Sequence, residues 1–170
     1  MAKYWGLICP DHEEPGLWRN WLANRCVAVG WTPLRYRWTD DRDDWPRNRE
    51  YLLEMTPGDV VIPYLGKYRF GIPGEIERLR VADADWNPTV MARHHGPAIH
   101  RGEPWLGRRI IVRWVTDQVP PANKIVRVPT DLQKRNPHGM VPKTIVPLKP
   151  TRLALFMNII NNEGNWEDYD

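Results

Sequence analysis

Seventeen prolines are spread along the whole of this 170-residue chain, and they limit the fold more than any other feature. Proline locks φ and lacks the N–H that a helix interior or a central strand uses. The spacing therefore argues against a helical bundle and for a loop-rich fold of short strands with a few brief helices. The chain is long enough to bury one ordinary core without disulfides or metal. Its two cysteines, Cys9 and Cys26, form neither a ligand spacing nor a disulfide framework.

Between the prolines the pattern alternates between helix and strand periods. Lys3 to Ile8 reads as a first strand, halted by Pro10. Asp11, Glu13 and Glu14 ahead of Pro15 predict a helix opening, with acids at the positive end and proline in the first turn. Leu17, Trp18, Trp21 and Leu22 then recur at helical spacing, which makes the two tryptophans core residues. Trp5 is assigned to the core as well. Cys26 to Trp31 is a second strand ending in Gly30-Trp31, and 34–48 is polar and irregular. Arg49 to Met55 reads as a short helix.

Asp59 to Leu65 is a strongly apolar strand, and Gly66-Lys67 turns it into a second arm, Tyr68 to Leu79, interrupted at Pro73-Gly74. A loop from Ala82 to Gly107 exceeds an ordinary connection. The clearest alternation is Arg108 to Thr116. Ile110, Val112 and Trp114 share one face and Arg109, Ile111 and Arg113 the other, so Trp114 is read as core. Short strands at Ile125–Val128 and Thr144–Leu148 and a last helix from Pro150, with Leu153, Phe156, Met157 and Ile160 on one face, complete the chain. No repeat or second domain is visible, so 1–170 is read as one domain with an acidic tail over about 161–170.

Charge is mild overall, +3, but uneven. Leaving out the four acids of the tail (Glu163, Glu167, Asp168, Asp170) takes the remainder to +7. From Arg93 to Arg113 there are five arginines, three histidines and one acid, Glu103. Such a stretch suits an anionic partner, nucleic acid first, or else a solvated loop. Tryptophan, at 10 against 2 phenylalanines, is the ring best able to stack on a base or a cation.

The ordered set KYWGLI, a helix, VAVGW, GDVVIPYLGKYRFGIPGEI, a long loop and PWLGRRIIVRWVTDQVP resembles the EVE domain and its relative the YTH domain, over roughly residues 3 to 130. Both belong to the PUA-like superfamily. The resemblance implies an α+β fold, a small mixed β-barrel with flanking helices, that binds DNA or RNA. One base is flipped into an aromatic cage that senses a modification, commonly a methyl. It implies Trp31 and Trp105 as cage residues, with a further cage position at His100. Tyr64 reads either as pocket wall or as barrel packing. Base-edge contacts are implied at Gly30 and Thr32, and at Asp11 or His12. Arg93, Arg101, Arg108 and Arg109 flank Trp105 and are expected to contact phosphate. A nuclease or another effector protein is a further expected partner.

Other chemistry is weakly signalled. Adjacent histidines His94 and His95, with His100 and His138, do not complete a metal-ligand pattern. No cofactor motif or phosphate-cradling glycine loop is present. A hydrolase on the same superfamily fold, of the ASCH type, would draw on Thr56, Lys67 and Glu75 around the central hairpin. A protein-interaction adaptor using exposed Trp and Pro is the third reading. No apolar run approaches a membrane span, and the start lacks a signal-peptide pattern, so a cytoplasmic protein without a membrane partner is expected.

Overall fold

The computed structural model describes residues 1–13, 15–31, 50–51, 54–79, 99–100, 103–104, 106–114, 120–121, 123–141 and 144–169. For 28–31, 79, 99–100, 103–104 and 106–114 it describes backbone alone. The strands are β1 (Tyr4–Ile8), β2 (Cys26–Trp31), β3 (Val60–Gly66), β4 (Arg69–Phe70), β5 (Gly74–Leu79), β6 (Ile99–His100), β7 (Glu103–Pro104), β8 (Leu106–Trp114), β9 (Lys124–Arg127), β10 (Ile145–Pro147) and β11 (Trp166–Asp168). The helices are α1 (Leu17–Ala23), α2 (Thr130–Arg135) and α3 (Pro150–Asn161). The fold is α+β, with a mixed sheet and helices against it.

Strand β3 organises the sheet. Along one edge it pairs in parallel with β1, from Val60 beside Tyr4 to Tyr64 beside Ile8, and β1 in turn pairs with β10. Along its other edge it pairs first with β5, at Val60 and Val61, and then with β4, at Tyr64 and Gly66. The handover falls at Pro63. Its carbonyl accepts from the Gly71 N–H at 2.9 Å, so the missing proline N–H lies on that same edge, where the sheet divides. One arm continues β4–β9–β11 and the other β5–β8–β2. Among the described residues the ends of these arms, β11 and β2, do not pair, so the sheet is open and branched rather than closed into a barrel.

The unbroken apolar run of β3 follows from burial on both faces. Alternation sends Val61 and Leu65 into one core, with Trp5, Leu7, Trp18, Trp21, Val27 and Ile76. It sends Ile62 and Tyr64 into a second core, with Phe70, Val126, Phe156, Ile159 and Ile160. Helix α1 covers the first face through Leu17, Trp18 and Trp21, and α3 the second through Phe156, Ile159 and Ile160. Trp5, Trp18 and Trp21 are fully buried, as their spacing predicts. The side chain of Trp114 lies outside the description, but the β8 register agrees with its alternation. Ile110 sits opposite buried Val27, and Val112 opposite buried Ile76.

Three expectations need correction. Helix α1 begins at Leu17, after Gly16 in the left-handed region (φ 91°), with no acid in its first turn. The orphan N–H of Trp18 is satisfied from a distance, donating 2.8 Å to the Asp11 carboxylate. The stretch read as a loop from Ala82 to Gly107 contains a small hairpin, β6–β7, and the start of β8. The segment read as an acidic tail is built in. After α3, Glu163–Asn165 form one 3₁₀ turn and β11 pairs with β9. There Glu167 meets Arg127 at 2.7 Å and Asp168 meets Lys124 at 2.7 Å. Two of the acids thus face bases inside the sheet.

Candidate nucleic-acid interface

The cage positions implied by the family resemblance depend on β2 and β8, whose backbones pair antiparallel without a break from Cys26 opposite Ile111 to Trp31 opposite Leu106. Trp31 ends its strand beside the residue that follows Trp105 in the chain. Gly30 sits opposite Gly107, so two glycines face each other just inside that end. Arg108 and Arg109 stand opposite Val29 and Ala28 in the next two positions. Among the described residues, β5 pairs with β8 as far as Ile110, opposite Leu79. This corner of the sheet brings Trp31 and Gly30 of β2 beside Arg108 and Arg109 of β8. His100 lies in β6, opposite Glu103 in β7. Thr32, Arg93, Arg101 and Trp105 lie outside the described residues.

The other implied positions lie elsewhere. Strands β2, β8, β5 and β3 are successively antiparallel, and Val60 lies level with Arg113 through Glu75, so β3 runs from there away from the end that carries Trp31 and Leu106. Tyr64 and Gly66 lie at the far end of β3, a strand about 20 Å long at the usual rise per residue. Because β1 runs parallel to β3, residues 9–12 emerge at that far end too. Tyr64 is buried in the second core. It tilts against Phe70 at 5.4 Å between ring centroids, and its hydroxyl accepts from the Tyr68 N–H at 3.1 Å. Of the two readings of Tyr64, the structure gives packing.

Asp11 and His12 have architectural partners. Asp11 is 6% exposed, and its Oδ1 accepts from both the Trp18 N–H and the Tyr169 hydroxyl, at 2.8 and 2.7 Å. Burial first, then the hydrogen bond to Asp11, pushes the Tyr169 phenol well above its usual range, so it stays protonated and donates. Arg19 lies over the Tyr169 ring at 5.4 Å. One carboxylate thus fixes the turn after β1, the start of α1 and the residue after β11. His12 Nδ1 lies 3.1 Å from the Leu65 carbonyl, which calls for a proton on that nitrogen. Its ring occupies the space over Gly66, where an added Cβ would come 2.2 Å from Nδ1.

The hydrolase candidates are not assembled. Glu75 pairs with Val60 at one end of β3, close to Thr56, whose N–H donates to Asp59 at 3.1 Å. Lys67 follows Gly66 at the other end.

At this far end the turn expected at Gly66-Lys67 is present, but its backbone conformation was not foreseen and helix α2 was missed in the sequence. The hairpin joining β3 to β4 turns on Lys67 and Tyr68, both left-handed (φ 48° and 59°), without the Asn-Gly pair that usually announces such a turn. Helix α2 carries the signals of a start and stop: Pro129 before it, Asp131 in its first turn, Lys134 and Arg135 in its last. Its six residues are too few for a periodic apolar face to declare it.

No family model matches the chain, and no curated protein matches it. Among solved structures it is similar to a Pseudomonas putida protein at 13% identity and TM-score 0.45, covering 92% of this chain and 98% of that one. It is also similar to a hypothetical protein from Leishmania major at 16% identity and TM-score 0.43, covering 93% and 94%. Neither likeness carries an argument about chemistry. Among the described residues, no helix is long and apolar enough to cross a membrane.

Proposed function

We propose that this chain is a cytoplasmic nucleic-acid-binding module of the PUA-like kind that flips a modified base, methylated adenine or cytosine foremost, into a pocket between Trp31 and Trp105. The observation that carries the reading is the β2–β8 register, which sets Trp31 opposite Leu106, the neighbour of Trp105, with Arg108 and Arg109 next along the strand. Indole faces stack on any base, at about 1–3 kcal/mol each. A methyl that fills an apolar recess adds a further increment of about 1–3 kcal/mol. Unstacking the base costs a few kcal/mol, which contacts from arginine to the flanking phosphates offset. The facing glycines Gly30 and Gly107 leave backbone open to a base edge. Asp11, His12 and Tyr64 have no part in this pocket. A nuclease or other effector acting on the bound strand is the partner that such a reader serves.

The test is a binding panel of oligonucleotides, single- and double-stranded, DNA and RNA, each with one methylated base or none. The expected result is a preference of about 10–200-fold for one methylated species over its plain counterpart. Equal affinity across the panel contradicts the reading.

A further inference from the structure

We infer that the end of the molecule opposite Trp31 carries a second polyanion-binding surface, formed by Lys67 and Arg69 of the β3–β4 hairpin with Lys134 and Arg135 of α2, and that it holds the phosphate backbone of a nucleic-acid strand. The inference rests on the nucleic-acid reading above but requires no recognition of a base.

These residues are brought together by a built contact. The Tyr68 hydroxyl donates to the Asn136 carbonyl at 2.6 Å, and the Tyr68 N–H donates to the Tyr64 hydroxyl at 3.1 Å. Lys67 precedes the first of these residues, and Arg135 precedes Asn136. Lys67, Lys134 and Arg135 are exposed, and His138 beyond them is exposed as well. Among the described residues none of the three has an ion-pair partner. Arg69 donates to a neutral group, the Gly66 carbonyl at 3.4 Å, and among the described residues has no ion-pair partner.

Of the nearby acids, Glu13 stands beside the hairpin, 3.5 Å from the Nε2 of His12, whose ring covers Gly66; the others are committed or distant. Glu167 is taken up by Arg127 through two hydrogen bonds of 2.8 and 2.7 Å, and Asp168 by Lys124. Asp131 stands at the opposite end of α2 from Lys134 and Arg135. Arg69 is directly opposite Arg127 in the β4–β9 ladder, a like-charge placement that works against the sheet. Glu167 neutralises one of that pair and leaves the other.

The hairpin adds a second argument. Two consecutive non-glycine residues in the left-handed region are unfavourable, and Asn or Gly are the residues the turn prefers. A lysine at the first of these positions is poorly chosen for folding. It is well chosen for holding a cation at a fixed point, because Tyr68 anchors the tip to α2. The strain and the charge coincide on one residue, as strain tends to at binding surfaces. A row of four cations that outnumbers the one acid beside it, Glu13, suits a repeating anion such as a nucleic-acid backbone.

The probe is a plain 20-nucleotide strand, DNA and RNA in turn, titrated at several salt concentrations. Variants are Lys67→Asn, Lys134→Gln with Arg135→Gln, and Lys124→Gln as the paired control. Each cation lost from the surface should lower the slope of log affinity against log salt by about 0.7 on a single strand. Lys67→Asn should do so while raising the melting temperature, since asparagine relieves the left-handed strain. That opposition separates binding from a merely structural role. Lys124→Gln should leave the slope unchanged. Unchanged slopes in both Lys67→Asn and the α2 double variant overturn the inference. If those slopes fall while the methylated-base panel shows no preference, this surface stands and the base-reading proposal fails. If the panel shows its preference and the slopes hold, the reverse is true.

Discussion

Trp18→Ala is expected to lower the stability of the protein by about 3–5 kcal/mol, the range for truncating a fully buried large aromatic. Trp18 has no exposed surface. Its ring is pressed against Gly71, where even a Cβ would sit 2.6 Å from Cζ2 and 2.7 Å from Cη2. Glycine has no side chain that could swing into the vacated space, so the cavity stays open and carries its full cost. A small domain is stable by about 5–15 kcal/mol, so this one change removes a large share. Urea unfolding at equilibrium checks it through the midpoint, with the slope held constant. A loss below about 1 kcal/mol contradicts the close packing of α1 on the sheet.

Asp59→Ala is expected to cost a comparable amount, about 3–5 kcal/mol. The carboxylate is 3% exposed and accepts three hydrogen bonds, from the Lys3 N–H at 2.9 Å, the Trp5 indole N–H at 3.0 Å and the Thr56 N–H at 3.1 Å. It ties the start of β1 to the turn before β3, the two strands whose parallel pairing centres the sheet. Alanine leaves the indole donor buried without a partner and frees the other two, at about 1–3 kcal/mol for each unsatisfied group. Asp59→Asn keeps one acceptor oxygen and should lose less. Thermal melts of the two variants side by side check the order, and equal losses contradict it.

The parts of this fold that the sequence declares are those whose signal is local. The alternation from Arg108 to Thr116 locates β8, and the pairing of Ile110 with Val27 and Val112 with Ile76 follows from it. The apolar run from Asp59 to Leu65 locates β3, and the tryptophans of α1 reveal their helix by spacing. What stays hidden is set by distant partners. The parallel pairing of β1 with β3 has no local signature. Asp11 reads as a cap or a ligand until Tyr169, 158 residues away, is seen to donate to it. The acids after α3 look like a solvated tail because Arg127 and Lys124, which receive two of them, stand some 40 residues earlier. Among the candidate interface residues, the likeness of motif order groups Trp31 with Tyr64, Asp11 and His12. Strand direction separates them, because direction depends on which strands pair.

The proposed function turns on Trp31 as part of a pocket that senses a modified base. It is tested most directly by titrating the unaltered protein and Trp31→Ala with the methylated oligonucleotide that the panel selects and with its plain counterpart, at one salt concentration. The variant's fold is verified by its melting curve. The unaltered protein should prefer the methylated strand by about 10–200-fold. In Trp31→Ala the two affinities should converge while the salt slope is kept, because phosphate contacts carry no base information. A folded Trp31→Ala that retains the full preference contradicts the account and places the pocket elsewhere.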